Sequence, residues 1–203
     1  MKDYFAALSP SGDPAVDVAH FYRTAGRLDT LAHVSQVAVE ARGLASEVGA
    51  DPAAVKLAAL AHDLAAVVPV AEMPAVAEGM GLRLSEADND RPMLLHGPIA
   101  AAALADKLAV RDEDVLNAVR YHTTLRAGAS TLETIVFVAD KLAYDPTSPH
   151  GGEYVAAMRA ARSLDEAALV YLDFLRDDAS QHGWALHPNA VAAYRSLTAR
   201  SAR

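Results

Sequence analysis

Two adjacent residues in the first third of the chain carry side chains suited to metal chemistry, at a place where a buried helix should end. His62 and Asp63 follow the apolar run 57–61, so an imidazole and a carboxylate are carried into the interior. A buried carboxylate without a partner costs several kcal/mol, and coordination to a divalent cation offsets that cost. A single histidine on an apolar helix is usually a packed core side chain, but this pair predicts a metal site.

A second carboxylate repeats the argument independently. Asp140 closes the apolar run 135–139, which is typical of a helix buried on most sides. Its partner could be a metal ion, or it could be Lys141 or Arg120 in a buried salt bridge. The sequence leaves both interpretations open.

Three more histidines are placed to face the same interior. His33 shares a helical face with Val37, the apolar stripe that begins at Val115 ends at His122, and His96 opens a helix after two leucines. Metal sites inside helical bundles take one or two inward ligands from each of several helices. The predicted metal ligands are His33, His62, Asp63, His96, His122 and Asp140.

The composition restricts the metal. The chain contains no cysteine, so every protein ligand must be a nitrogen or an oxygen atom. Imidazole together with carboxylate suits iron, manganese or cobalt. We therefore expect one or two divalent transition-metal ions.

The elements that position these residues are helices throughout, because apolar residues recur at helical spacing and no long stretch alternates with period two. Residues 28–48 carry such a stripe, which ends at Gly49. Asp51 and Pro52 have the types of a capping residue and a first-turn proline, and they open a helix to about Ala66. Further helices are predicted over residues 70–80, 95–108 and 112–122.

Helices are also expected where a serine is followed three residues later by glutamate, a spacing that satisfies two backbone donors. These pairs are Ser130 with Glu133 and Ser163 with Glu166. Residues 145–152, which include His150, are rich in proline and glycine and indicate a surface loop. A shorter irregular stretch is expected at residues 85–92.

Length, charge and hydropathy narrow the class of protein. With 203 residues the chain is long enough for one well-buried core, and we expect a single all-α domain. A net charge of −8 disfavours nucleic acid as a partner. Apolar runs are too short for a membrane span and the N-terminus lacks a signal-peptide pattern, so we expect a soluble cytoplasmic protein. The Ala-rich helical surface is compatible with a homodimer.

Taken in order, the six ligands resemble the HD superfamily of metal-dependent phosphohydrolases, and more narrowly the YqeK family. The matching stretches are 33–38, 58–63, Leu95-His96-Gly97, 114–123 and 138–141. The resemblance extends over about residues 20 to 200. It implies an all-α, single-domain HD-type helical bundle over residues 1–203, with a metal-site core at about 20–145 and C-terminal helices at 151–203 that complete the bundle.

The resemblance also implies how the ligands are shared between two ions. His33, His62, Asp63 and Asp140 would bind the first ion, His96 and His122 the second, and Asp63 would bridge them. Iron is the metal that such family members favour. The implied reaction is cleavage of diadenosine tetraphosphate, a small phosphorylated nucleotide, to two ADP by attack of a metal-bound hydroxide. Asp63 and His62 would then be the catalytic residues.

Four places depart from the family pattern. Ala66 replaces the lysine of HDxxK, Thr30 replaces an arginine, Leu125 replaces the glycine of Thr-x-Gly, and residues 142–146 lack the usual Glu and Arg. Either other cations hold the phosphates, with Lys141 and Arg126 as substrate-binding candidates, or the protein cleaves a different phosphoester or anhydride.

Two other classes of function remain open. Some HD-type sites with the same ligands support oxygen chemistry, so a di-iron oxygenase is one alternative. A non-catalytic nucleotide- or metal-binding HD protein is the other.

Overall fold

Residues 2–143 and 152–201 are described by the computed structural model, and within them the chain forms eleven α-helices, three short 3₁₀ helices and no strand. The α-helices are α1 (Pro14–Thr24), α2 (Leu28–Val48), α3 (Pro52–Ala61), α4 (Met73–Gly79), α5 (Glu86–Asp90), α6 (His96–Lys107), α7 (Glu113–Tyr121), α8 (Thr131–Leu142), α9 (Gly152–Arg159), α10 (Leu164–His182) and α11 (Pro188–Ser201). The 3₁₀ helices are Leu64–Val67, Val70–Glu72 and Pro92–Leu95. The all-α prediction is confirmed. His150 and most of the predicted loop at 145–152 lie outside the described residues.

The ends of α2 and α3 follow the sequence signals, with one correction. Gly49 ends α2 in the left-handed conformation with φ of 69°, and the Asp51 carboxylate accepts hydrogen bonds from the first turn of α3. The predicted continuation of α3 to about Ala66 is wrong, because the α-helix ends at Ala61. The His62 ring nitrogen Nδ1 donates to the Ala59 carbonyl. In a continuing α-helix that carbonyl would instead accept from the backbone of the residue four positions later.

The capping signals place three other helix starts. Both halves of the capping box at Ser130 are present, and it opens α8. The Ser163 hydroxyl caps α10, but the carboxylate of Glu166 accepts from the backbone of Arg162, so this box is only half formed. Residues 85–92 are not irregular as predicted, since Ser85 forms a capping box with an aspartate and opens α5.

Helix α8 is the centre of the bundle. All of its residues from Leu132 to Leu142 are buried. One face, with Ile135 and Ala139, belongs to a core built with the preceding helices, while the other, with Phe137 and Val138, packs against α9 and α10, and α11 packs on α10. The C-terminal helices therefore cover the side of α8 that the earlier helices leave open.

In the described part of the chain, no single helix has both the length and the apolar composition of a membrane span. Only the pair Pro52–Val67 and Val70–Gly79, which bends by 88°, meets that test jointly.

Candidate metal centre

Three histidines of the site are oriented in the same way. In each ring Nδ1–H donates to the backbone carbonyl three residues upstream, which leaves Nε2 to face the interior. The pairs are His62 with Ala59, His96 with Met93 and His122 with Val119. Such hydrogen bonds fix the tautomer and the ring orientation of metal-binding histidines. Each of these rings lies at an end of α3, α6 or α7.

One group of ligand atoms lies between α2, α3 and α8. The Nε2 atom of His33 is 3.1 Å from Oδ1 of Asp140 and 3.9 Å from Oδ2 of Asp63. The Nε2 atom of His62 is 3.6 Å from each of the same two oxygens. We call these four residues the first ligand set.

The second group lies on the other side of Asp63. Its Oδ1 atom is 3.3 Å from Nε2 of His96 and 3.7 Å from Nε2 of His122. The two Nε2 atoms are 2.8 Å apart. We call Asp63, His96 and His122 the second ligand set. Asp63 thus turns one carboxylate oxygen toward each set.

The chemistry of these atoms fits metal ions. Among the described residues, Nε2 of His62 is a buried nitrogen without a hydrogen-bond partner. Nε2 of His96 and Nε2 of His122 face each other as acceptors when both rings are neutral, because both Nδ1 atoms are donors. A bound metal ion, or a proton on one of the rings, relieves the repulsion between them. Metal–nitrogen bonds of about 2.0–2.1 Å place ligands at right angles about 3 Å apart. The separations within the two sets, from 2.8 to 3.9 Å, begin at this spacing and extend to wider angles between ligands.

Comparison with known proteins supports the same assignment. A family model described as the HD domain matches residues 30–145. The chain belongs to the HD domain family. Two relatives are named symmetrical bis(5'-nucleosyl)-tetraphosphatase. The one from Bacillus subtilis strain 168 is 36% identical over 62% of this chain and 66% of its own length. The one from Halalkalibacterium halodurans is 31% identical over 81% of this chain and 87% of its own length.

A solved HD-family structure agrees over nearly the whole chain. It is a protein from Clostridium acetobutylicum described as a predicted HD superfamily hydrolase involved in NAD metabolism. The TM-score is 0.83 with 28% sequence identity, covering 91% of this chain and 97% of that protein. The YqeK-like resemblance, the HD-type fold and the hydrolase class predicted from the sequence are confirmed.

The carboxylates of this HD site are held ionised by their neighbours. Burial alone would raise the pKa of Asp140, but the Lys141 ammonium and the rings of His33 and His62 hold it well below its usual range. Burial likewise opposes ionisation of Asp63, and the surrounding histidines nevertheless lower its pKa. Ionised carboxylates are the form that binds a metal.

The pKa values of His62 and His122 are shifted in opposite directions by their surroundings. Burial would lower the pKa of His62, but the carboxylates of Asp63 and Asp140 raise it to about 9. Burial and the neighbouring rings of His96 and His62 lower the pKa of His122 well below its usual value. The first ligand set therefore attracts a positive charge to Nε2 of His62, and the second presents a neutral ring at His122.

Gly97 brings the helices of the second ligand set together. A Cβ atom at this position would lie 2.7 Å from the backbone oxygen of Arg120 and 3.1 Å from that of Val119. Only glycine therefore permits the approach of α6 to α7 that places His96 beside His122. The Leu-His-Gly motif contains this residue, but no local pattern in the chain explains why it is glycine.

The ligands open onto a cavity of about 400 Å³, which we call the first cavity. All six predicted ligands except the fully buried His62 line it. Ala66 and Lys141 lie in its wall, and so does Tyr171 from α10. The Tyr171 ring also packs on Phe137. Its place in the cavity wall depends on how α10 crosses the bundle.

The two predicted substrate-binding cations have different surroundings. Lys141 lines the first cavity, while its ammonium contacts Asp140 and donates to the His122 carbonyl at 3.0 Å. The salt bridge that competed with the metal interpretation of Asp140 is thus formed alongside the histidine cluster. Arg126 is not among the residues that line this cavity, because both arms of its guanidinium donate to the buried carboxylate of Glu133 at 2.7 Å.

The positions that depart from the family pattern also have different surroundings. Ala66 lines the first cavity, as expected for a lost substrate contact. Leu125 does not line it, because its fully buried side chain packs in the core beside Phe137 and Val138. Thr30 does not line it either. In the altered segment 142–146, residues from 144 onward lie outside the described ranges.

Proposed function

We propose that this protein is a metal-dependent phosphohydrolase that cleaves a dinucleoside polyphosphate symmetrically, with diadenosine tetraphosphate giving two ADP. The observation that carries the proposal is the position of Asp63, whose two carboxylate oxygens each face a different group of histidines. The names of the HD-family relatives supply the substrate class. Iron is the expected metal, and manganese or cobalt suits the same donors.

The reaction needs one water molecule. Its oxygen forms a bond to one of the two central phosphorus atoms, and the bond from that phosphorus to the central bridging oxygen breaks. The bridging oxygen leaves with the second ADP, and both protons of the water are released, which leaves an ionised terminal phosphate on each ADP. Two divalent cations, when bound, activate water and offset the charge on the phosphoryl group.

The protein side chains would hold the two cations in place. His33, His62 and Asp140 would hold one cation, and His96 and His122 the other, with Asp63 between them. Lys141 keeps Asp140 ionised and oriented through its direct contact. With His62 fully buried, Asp63 is the carboxylate shared by both sets that also reaches the first cavity. Asp63 and His62 remain the proposed catalytic pair, Asp63 at the cavity and His62 through the cation that it would hold.

The polar environment is consistent with a small phosphorylated substrate. The cavity offers Thr123 and Lys141 as hydrogen-bond donors beside the ligands. An acidic chain with a net charge of −8 favours such a substrate over nucleic acid, since bound cations reverse the field locally.

Hydrolysis in water enriched in oxygen-18 tests the proposal. Metal-loaded protein should convert diadenosine tetraphosphate to ADP alone, with one heavy oxygen in the terminal phosphate of one of the two products. Formation of AMP and ATP would contradict symmetrical cleavage. If the heavy oxygen never enters phosphate and turnover instead consumes dioxygen, the oxygenase alternative replaces the hydrolase.

A further inference from the structure

A second cavity of about 330 Å³ adjoins the metal centre. Thr123 lines both cavities, and its hydroxyl oxygen lies 3.1 Å from Nε2 of His122 and 3.4 Å from Nε2 of His96. Leu95, directly before His96, lines the second cavity as well. Thr123 therefore lies between the second cavity and the second ligand set.

The charges of the second cavity suit phosphate. Arg83 and Arg120 line it, and Asp88 is its acidic residue. The Asp88 carboxylate already accepts from the backbone and hydroxyl of Ser85, at 2.8 and 2.7 Å, and lies 3.6 Å from the His187 ring. Two arginines beside one occupied carboxylate leave a local positive charge on a chain that is acidic as a whole. Arginine is well suited to binding phosphate oxygens.

The remaining walls suit a nucleoside. Leu82, Leu94 and Pro98 supply apolar surface, while the Tyr121 and Asn189 side chains offer hydrogen-bonding groups. Small-molecule sites typically combine a mainly apolar lining with a few polar groups, in volumes of about 300–1,000 Å³. Asn189 lies outside residues 30–145, so the part of the lining that it forms is not within the matched HD domain.

The geometry points to the second cavity as the binding site for one nucleoside end of a dinucleoside polyphosphate, with the other end in the first cavity. This inference rests on the proposed function. A substrate cut at its central bond must place its two identical ends on opposite sides of the reacting phosphorus. The two cavities, with Thr123 between them, provide those two sides.

A double substitution, Arg83→Ala with Asn189→Ala, tests the assignment. Arg83 is exposed and Asn189 half-buried, and neither is a metal ligand, so the fold and the metal content should persist. Arg42→Ala is the matched control, because Arg42 is also exposed and lines neither cavity. Calorimetric titration of the metal-loaded proteins with ADP counts the nucleotide sites, and steady-state kinetics gives KM and kcat for diadenosine tetraphosphate.

Wild type and Arg42→Ala should bind two ADP per chain. The double variant should bind the second ADP about tenfold more weakly and show a similar rise in KM with kcat nearly unchanged, as expected for the loss of a charge-assisted phosphate contact. Unchanged affinity at both ADP sites in the double variant overturns the inference, as does a single ADP site in an active wild type. Two ADP sites in a wild type without hydrolysis would overturn the proposed function and keep the nucleotide site.

Discussion

The two ligand sets of the metal centre are held in place by different physical means. In the first set, Asp140 is fixed and kept ionised by the buried ammonium of Lys141. In the second, His96 and His122 lie close because Gly97 lets two helix backbones approach beyond the limit that any side chain would set. The first set thus depends on an ion pair, and the second depends on the short distance between two helix backbones.

This difference predicts which substitutions each set tolerates. A change of charge should damage the first set, because a buried carboxylate needs a compensating partner. A change of size should damage the second, because a backbone oxygen at the helix contact cannot move aside like a flexible side chain. Asp63 belongs to both sets, so its loss should affect both.

Asp63→Ala should have the largest effect. Removing the carboxylate shared by both sets should release both ions and abolish measurable hydrolysis. Removal of one partner from a buried ionic group costs about 3–5 kcal/mol, which corresponds to a loss of at least roughly a hundredfold in metal affinity. Metal analysis and activity assays measure both. Asp29→Ala, on the exposed first turn of α2, is the control and should change neither.

Gly97→Ala should remove the second ion and leave the first. The added Cβ, 2.7 Å from the Arg120 oxygen, forces α6 away from α7 and separates His96 from His122. The metal content should fall from two ions per chain to one, and activity should fall by about a hundredfold or more, as for disturbed support of metal ligands.

Gly43→Ala is the matched control for that substitution. Gly43 lies within α2 with nothing within 4 Å of a Cβ atom, so alanine should stabilise the helix by about 0.5–1 kcal/mol. Two bound ions and an unchanged melting temperature in Gly97→Ala would disprove the contact-distance explanation.

Lys141→Met should act on the first set and mainly on the metal-free protein. It leaves the Asp140 carboxylate buried without its cation, which should lower the free energy of unfolding by about 3 kcal/mol, or roughly 6–12 °C in melting temperature. Bound metal should restore most of this loss. Lys56→Met, at an exposed lysine of α3, should shift stability by less than about 0.5 kcal/mol.

The pH dependence of stability should report the same contact between Lys141 and Asp140. The pKa of Asp140 is well below its unfolded value of 3.8, so its ionised form stabilises the metal-free protein above that pH, and the stabilisation is lost as pH falls. Without Lys141 the pKa rises, and acid unfolding of the metal-free variant should begin at higher pH. Identical acid unfolding curves for Lys141→Met and wild type would contradict this account.

Ala66→Lys should have the smallest effect and the opposite direction. Ala66 lines the first cavity at the position of the missing HDxxK lysine, so a lysine there should tighten binding of diadenosine tetraphosphate by about tenfold to a hundredfold. Ala66→Met adds size without charge and should not. Equal affinities for the lysine and methionine variants would show that this wall does not contact phosphate.

The proposed ligands could be identified from the sequence because polar residues at the ends of apolar helices need a partner. His62, Asp63 and Asp140 are each recognisable in this way, and the capping residues Asp51 and Ser130 fix the helix starts that present them. These signals are local. They require no knowledge of how the helices pack.

The features that the sequence did not reveal depend on contacts between distant segments. Gly97 is explained only by the backbone of α7, and Tyr171 reaches the first cavity only because α10 crosses α8. The early end of α3 depends on the direction of the His62 ring.

Leu125 shows a further limit of sequence reasoning. It keeps the left-handed backbone, with φ of 55°, that the family's glycine would adopt easily. That conformation costs a non-glycine residue roughly 1–2 kcal/mol, and burial of the leucine side chain stabilises by a similar amount. A substitution that looked like a change near the substrate is therefore compensated within the core.

The central claim is that two metal ions share Asp63, and metal content at saturation tests it most directly. Protein purified without chelator and saturated with iron, manganese or cobalt should contain two ions per chain by elemental analysis. Relative to the metal-free protein it should gain about 2.7 kcal/mol of stability for each ion bound at a free metal concentration a hundred times its Kd. A content of one ion or none at saturation would contradict the claim.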